Sequence, residues 1–267
     1  MVSSKICIRD PKNASTFDSF KQLVENSSLT LSNNATPYQN ENDMLRDIAT
    51  DANAIGLLSS TEARETKILA LSDDGTEALY PSVFTIKTEE YLFTRRLYLA
   101  SLANNSNPYV RQFLDFCLAD ERGQKIVAQT GFVNLNLHNT SIRAVSQNAP
   151  PQYLAATSGA KRLPTTLHFQ SGSSMPDERA TDDIKRIINV LAESENQQKT
   201  VIVIGFTDNT GSMSQNQGLS VSRAQHIQTE FQKYGIKSEV YGFGQALPVA
   251  ANTSVLGQNK IDELKFG

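Results

Sequence analysis

Over residues 1–137 short apolar runs alternate with stretches of helical period. Ile6 to Arg9 predicts a strand, and Ser15 to Leu23 a helix opening at a polar turn. Glu41 to Asp51 predicts a second helix, and Ala54-Ile-Gly-Leu-Leu58 the strand after it. Leu97-Tyr-Leu-Ala-Ser101 reads as a strand, and Pro108 to Thr130 keeps helical spacing through Phe113, Phe116, Ile126 and Val127. A polar stretch with Pro150-Pro151 follows and reads as a linker. Beyond it the pattern resets. Thr166 to Gln170 predicts a strand, and Asp177 to Glu195 an amphipathic helix with Ile184, Ile187, Ile188 and Leu191 on one face. The wholly apolar Val201 to Phe206 predicts a strand buried on both sides. A helix over Leu219 to Tyr234 and a strand over Glu239 to Phe243 complete the alternation. The expectation is two α/β domains, residues 1–138 and 163–267, joined by a linker at 139–162.

Composition changes this picture little. With 267 residues, 39% hydrophobic and 20% charged, the chain can bury two ordinary cores. A net charge of -3 gives no general attraction to nucleic acid or anionic lipid. No apolar run approaches the ~20 residues that cross a bilayer, and the first ten residues lack the apolar core of an export signal. Cys7 and Cys117 stand in separate apolar contexts and read as buried thiols. His138, His168 and His226 have no partner at ligand spacing, so packing or surface roles are expected rather than a metal site. No Cys/His pair, Ser with a nearby His, or carboxylate pair suggests catalysis, and no cofactor is expected.

The informative stretch is Gly205-Phe-Thr-Asp208-Asn-Thr-Gly211, followed by Asn216-Gln-Gly-Leu219-Ser220-Val-Ser-Arg223-Ala224. Asp208 leaves the C-terminal end of a buried strand, where ligands of open α/β sheets collect. Ser220 and Arg223, three apart, share a face of the next helix. A carboxylate opposite a guanidinium can grip a zwitterion, Asp208 taking an ammonium and Arg223 a carboxylate through two parallel hydrogen bonds. The same spacing also fits a plain Asp208–Arg223 ion pair.

These residues resemble the C-terminal domain of the OmpA-like family, the peptidoglycan-associating module of Gram-negative envelopes. The family reads Gly-His-Thr-Asp-x-x-Gly, then Asn-x-x-Leu-Ser-x-x-Arg-Ala, then Gly-x-Gly and Pro-x-x-x-Asn. Here these are Gly205-Phe206-Thr207-Asp208, Gly211, Asn216, Leu219-Ser220, Arg223-Ala224, Gly242-Phe243-Gly244, Pro248 and Asn252. Phe169 before Ser171-Gly-Ser-Ser174 fits the entry strand. The resemblance implies a βαβαβ sandwich that binds diaminopimelate through Asp208 and Arg223, with Thr207, Asn216 and Leu219 in support and Phe206 replacing a usual His. The family then continues Asn-Arg-Arg-Val-Glu, whereas this chain reads Gln258-Asn-Lys-Ile-Asp-Glu-Leu-Lys-Phe-Gly267. Deleting one A from a codon run for Asn-Lys-Asn-Arg-Arg-Val-Glu-Val-Trp yields the observed ending, so a single-base frameshift is expected there.

Near the start, Arg9 and Ala14-Ser15-Thr16-Phe-Asp18-Ser-Phe20 set hydroxyls at a helix opening. Such a position suits an anion, and equally an ordinary N-cap. This region is similar to the periplasmic phosphate-binding receptors of ABC transporters. Their Ser-Gly-Thr-x-Asp-x-Phe aligns with Ala14 to Phe20, and their Tyr-Pro-Leu-x-Arg-Pro-Leu-Tyr hinge with Tyr91 to Tyr98. Phe113 to Phe116, Gly123 to Val127 and Gly131 to Val133 fit the late helix and return strand. The similarity implies part of a type II periplasmic-binding-protein fold, with Ser15, Thr16 and Arg9 as candidate phosphate or oxyanion ligands. The match starts in mid-family, and Ala14-Ser15 replaces the Ser-Gly that lets a backbone approach phosphate closely. The natural N-terminus and its export signal are therefore expected upstream. The expected whole is a non-catalytic envelope protein, periplasmic or attached to the wall or outer membrane. Its C-terminal module would tether a solute-receptor-like domain to peptidoglycan; the alternative is an oxyanion receptor with an incidental tether.

Overall fold

A computed structural model describes residues 5–9, 20–21, 34–61, 63, 66–73, 76–137, 149–193, 196, 198–247 and, in backbone only, the strand 263–266. The chain divides into two compact units. One comprises Met1–Ala70 and Lys125–Phe132, the other Leu71–Gln124 and Val133–Gly267.

In the first unit β1 (Lys5–Arg9) is the central strand of a parallel sheet, flanked by β2 (Ala35–Tyr38) and β3 (Ala54–Leu57). Parallel strands of one sheet need a crossover connection, and α1 (Glu41–Thr50) supplies it between the two outer strands, β2 and β3. Asn40 opens α1 by accepting from the Asn42 N–H at 2.9 Å. The helix buries Met44, and Cys7 and Ile8 of β1 are buried on opposite faces of the sheet. The strands at Ile6 and Ala54 and the helix at Glu41 follow the sequence pattern. Of the helix expected over 15–23, only Phe20 and Lys21 are among the described residues, and both are helical.

In the second unit α2 (Val83–Lys87) starts at a capping box formed by Ser82 and Thr85. The helical period over 108–130 resolves into two helices, α3 (Pro108–Leu118) in this unit and α4 (Glu121–Gln129), of which Lys125–Gln129 is counted with the first unit. The break has a local cause: the Asp120 carboxylate accepts from the Arg122 N–H at 2.8 Å and so opens a new helix. Leu97 to Ser101, expected as a strand, pairs with no other strand among the described residues. Leu97 and Tyr98 lie exposed. An apolar β-prone run becomes a strand only where a neighbour satisfies its backbone.

The C-terminal sheet has the order β4-β7-β5-β6. β4 (Leu167–His168) and β5 (Val201–Gly205) each pair antiparallel with β7 (Glu263–Phe266), and β5 pairs in parallel with β6 (Ser238–Gly242). The divergent ending thus supplies a central strand of the sheet. Its tail pairs as the pattern of alternating residues allows.

α6 (Glu178–Leu191) begins where Asp177 accepts from the Ala180 N–H at 2.8 Å. α7 (Met213–Gln232) starts six residues before the hydrophobic pattern suggested, because Ser212 and Gln215 form a capping box. Ile184, Ile187, Ile188 and Leu191 of α6 meet Leu167, Phe169, Val201 and Val203, together with Ala224, Ile227 and Phe231 of α7. Each fully buried aliphatic side chain here contributes about 1.5–3 kcal/mol relative to exposure.

The expected linker is partly built into this unit. Pro151–Ala156 forms α5, and its Tyr153 lies with Ala149, Ile204 and Phe206 in a second apolar cluster. Residues upstream of that segment also join the C-terminal core: Leu137 is buried against it. Arg96 pairs with Asp183 at 3.1 Å, His168 with Glu89 at 2.9 Å, and Arg162 with Glu90 at 2.8 Å. Sequence texture placed a break at 138 and 163, whereas these contacts run across both points. Of the three histidines, expected in packing or surface roles, His168 is buried and paired with Glu89, and His138 lies outside the described residues.

Candidate functional site

The turn after β5 is held by the groups that the sequence pattern singled out. Thr207 is buried; its N–H donates to the Gly244 carbonyl at 2.8 Å, and its hydroxyl to the Asp208 carbonyl at 2.9 Å. The Asp208 carboxylate is half-buried and accepts from the Thr210 N–H at 2.9 Å, closing an Asx turn. Gly211 completes the turn at φ 96°, a conformation that side-chain-bearing residues rarely adopt.

Asn216, buried on the first turns of α7, donates to the Asp208 carbonyl at 3.1 Å and to the Gln245 side chain at 3.0 Å. It therefore ties the Asp208 turn to the loop after β6. Ser220 is buried as well, accepting from the Gly244 N–H at 2.9 Å and donating to the Gln217 carbonyl at 2.8 Å. Leu219 is half-buried beside it.

Arg223 lies one turn further along α7 and is fully buried. Its Nε donates to the Ser173 carbonyl at 2.9 Å, one Nη to the Phe206 carbonyl at 3.0 Å, and the other to the Gln170 carbonyl at 3.5 Å. The guanidinium also sits over the Phe169 ring, 5.2 Å from its centroid. A direct Asp208–Arg223 ion pair, which the spacing allowed, is not formed; Arg223 reaches main-chain oxygens instead. The two residues thus share one end of the sheet, Asp208 at the surface and Arg223 beneath it.

Two members of this arrangement left no sequence signal. Gln170 and Ser173 act through their carbonyls, which any residue has. Gly205 and Gly242 are cross-strand partners beneath α7. A Cβ on Gly242 would come within 2.5 Å of the Ser220 hydroxyl oxygen, so the helix can approach only because both positions are glycine.

A second cluster of charge lies in the same unit, around Glu89. This residue adopts φ 56° and accepts from Arg96, which also holds Asp183, and lies 2.9 Å from the His168 imidazole. Burial pushes the Glu89 carboxyl up, but His168 and Arg96 outweigh it and hold the group at about 2. Nearby, burial lowers the Lys87 amine to about 8. Lys87 donates to the Asn134 side chain at 2.8 Å and to the Asn136 carbonyl. Among the described residues no group of three or more His, Cys, Asp or Glu could hold a metal ion, and no helix is long and apolar enough to cross a membrane. The candidate anion residues Ser15 and Thr16, and the Arg9 side chain, lie outside the described residues. The Arg9 backbone closes β1 opposite Tyr38.

Residues 168–261 match the OmpA family. Outer membrane protein A of Salmonella typhi is 32% identical over 90 residues, covering 33% of this chain and 25% of that protein. The sodium-type flagellar protein MotY of Vibrio parahaemolyticus is 26% identical over 99 residues, covering 36% of this chain and 33% of MotY. This chain therefore spans a third or less of these two relatives. Among solved structures, the peptidoglycan-associated lipoprotein from Burkholderia pseudomallei aligns with a TM-score of 0.35 and 17% identity, covering 38% of this chain and 86% of that one. The C-terminal module is OmpA-like.

Proposed function

We propose that the C-terminal module, residues 163–267, binds peptidoglycan by its diaminopimelate and is not an enzyme. The carrying observation is the OmpA family match at 168–261, which contains both halves of the zwitterion grip at one end of the sheet. Asp208 takes the ligand ammonium. Among the described residues its carboxylate accepts from the Thr210 N–H alone, which leaves acceptor capacity for a charged donor. Arg223 takes the ligand carboxylate. Among its carbonyl contacts to described residues, the one to Gln170 at 3.5 Å is the longest, so a ligand oxygen displaces it at the least cost. Thr207 and Asn216 hold the Asp208 turn, and Leu219 supplies apolar contact beside it.

The same reading makes the chain part of an envelope protein, periplasmic and attached to the wall or outer membrane. Its parallel β2-β1-β3 unit then belongs to a solute-receptor-like domain carried on the tether. Ala14-Ser15 stands where close backbone approach to an oxyanion needs Ser-Gly, so calorimetry with millimolar phosphate is expected to give no saturable heat, and a saturable heat that Thr16→Val abolishes would overturn this.

The test is co-sedimentation with purified diaminopimelate-type sacculi. Asp208→Ala removes the acceptor of a hydrogen bond to a charged group, worth about 1.5–3 kcal/mol. Affinity is expected to fall roughly tenfold to hundredfold. Wild-type binding by both Asp208→Ala and Arg223→Ala would refute the assignment.

A further inference from the structure

Phe206 belongs to two structures at once. Its carbonyl accepts from Arg223 at 3.0 Å, and it immediately precedes Thr207 and Asp208. Its ring, 3% exposed, faces the other way into an aromatic cluster. There the Tyr153 ring lies 6.3 Å from Phe206 and 5.5 Å from Phe243, while Phe206 and Phe243 are 6.2 Å apart. Ala149, Ile202, Ile204 and Leu247 fill the space around them.

Tyr153 comes from α5, inside the segment that sequence texture assigned to a linker. The geometry of that segment is set in advance. Pro150 precedes the helix and Pro151 occupies its first turn, so φ is fixed at both positions. Tyr153 is 8% exposed, whereas its neighbours Gln152 and Leu154 face solvent. One side chain of the segment is thus committed to the sheet, at the strand that ends in the candidate site.

From this we infer that Tyr153 is a positioning residue for the peptidoglycan site, through which docking of α5 sets wall affinity. The inference rests on the reading of Asp208 and Arg223 given above. Phe206 is the shared part: its ring is wedged by Tyr153 and Phe243, its carbonyl orients the Arg223 guanidinium, and its C-terminal neighbours carry the Asp208 turn. Loosening the ring contact lets the Phe206 carbonyl and the Asp208 carboxylate shift relative to one another, and the grip requires both. It also accounts for Phe at 206, where an aromatic facing Tyr153 and Phe243 is buried and a His would be desolvated.

The experiment compares sacculus affinity of four forms of the whole chain, at a temperature where circular dichroism shows each folded. Tyr153→Leu keeps bulk but removes the ring. Aromatic pairs contribute about 0.5–1.5 kcal/mol beyond area, so a loss of roughly twofold to tenfold in affinity is expected. Ile187→Val shortens a core side chain remote from the Phe206 ring cluster, and is expected to lower the melting temperature while binding as wild type does. Asp208→Ala tests the underlying reading. If Tyr153→Leu binds like wild type, or Ile187→Val loses as much affinity, the positioning role is overturned while the site assignment stands. If Asp208→Ala binds like wild type, the site assignment fails and the inference falls with it. Amide NMR provides a second readout: Tyr153→Leu should move the Thr207 and Asp208 resonances, and unmoved resonances count against the role.

Discussion

A methyl group placed on Gly205 would sit 1.9 Å from the carbonyl oxygen of Ser220. Strand β5 and helix α7 therefore touch backbone to backbone at this point, three residues before Asp208 and three before Arg223 on their respective elements. Gly205→Ala must push the helix away from the sheet. Overpacking of this kind costs about 1–3 kcal/mol, and more where a backbone atom is the obstacle. Urea denaturation is expected to show a lower midpoint with unchanged slope; an unshifted midpoint would contradict the contact.

Arg223 and Asp208 should separate in their effects on stability. Arg223→Ala removes the donor to the Phe206 carbonyl in a buried setting, at about 1–3 kcal/mol, and a second donor to the part-buried Ser173 carbonyl. Asp208 is half-buried in a surface turn, so Asp208→Ala is expected to cost well under that. Thermal melts of the two variants provide the measurement. Equal losses would mean that Asp208 also has a structural role.

The pairing of Glu89 with His168 and Arg96 should weaken the protein in acid. The Glu89 carboxyl is held at about 2, below its unfolded value near 4.5. Its contribution is fully present above the unfolded value and is lost as pH falls through the folded one. Glu89→Gln is therefore expected to be less stable than wild type at pH 6, with the difference shrinking between pH 4.5 and 2. A difference constant over that window would show that Glu89 does not titrate as a paired carboxylate.

Lys87 should act in the opposite sense. Burial lowers its amine to about 8 from an ordinary 10.5, so between these values the unfolded chain holds more protons and stability rises with pH. Against Lys87→Met, wild type is expected to gain stability from pH 8 to 10.5. The gain is on the order of 1 kcal/mol once solvent screening of a half-exposed amine is allowed for. Paired urea titrations at the two pH values measure it, and a flat difference would exclude the effect.

Removal of residues 263–267 should damage the C-terminal sheet. β7 lies between β4 and β5, so its loss leaves the facing backbone groups of both strands unpaired. The truncated chain is expected to melt lower and to aggregate more readily through the opened edges. Replacing the ending by Asn-Lys-Asn-Arg-Arg-Val-Glu-Val-Trp should keep the strand and introduce two cations, so affinity for an anionic wall ligand is expected to rise. Unchanged affinity would make those cations dispensable.

Local chemistry was legible in the residues themselves. The stripe of Ile184, Ile187, Ile188 and Leu191 needed only the helical period to declare its buried face, and Asp177 only its carboxylate to cap that helix. The unbroken apolar run Val201 to Phe206 announced a buried central strand. The ordered motifs around Asp208 and Arg223 pointed to one end of that strand, because spacing along a strand and a following helix constrains where their ends meet. Even the early start of α7 was written in Ser212 and Gln215, although hydrophobic periodicity alone passed over it.

Tertiary structure decided what depends on partners distant in sequence. Leu97 to Ser101 has strand composition, but no neighbouring strand among the described residues accepts its hydrogen bonds. The Pro150-Pro151 stretch has linker composition, yet Tyr153 docks on Phe206 and Phe243. The charges on Glu89, Glu90 and Arg96 look like solvated surface until His168, Arg162 and Asp183 are brought against them. Arg223 could have paired with Asp208, but the fold offers its guanidinium the carbonyls of Gln170, Ser173 and Phe206. Periodicity and capping act over a few residues and are fixed by the residues present there. Strand pairing, ring stacking and buried charge compensation exist only once remote segments meet.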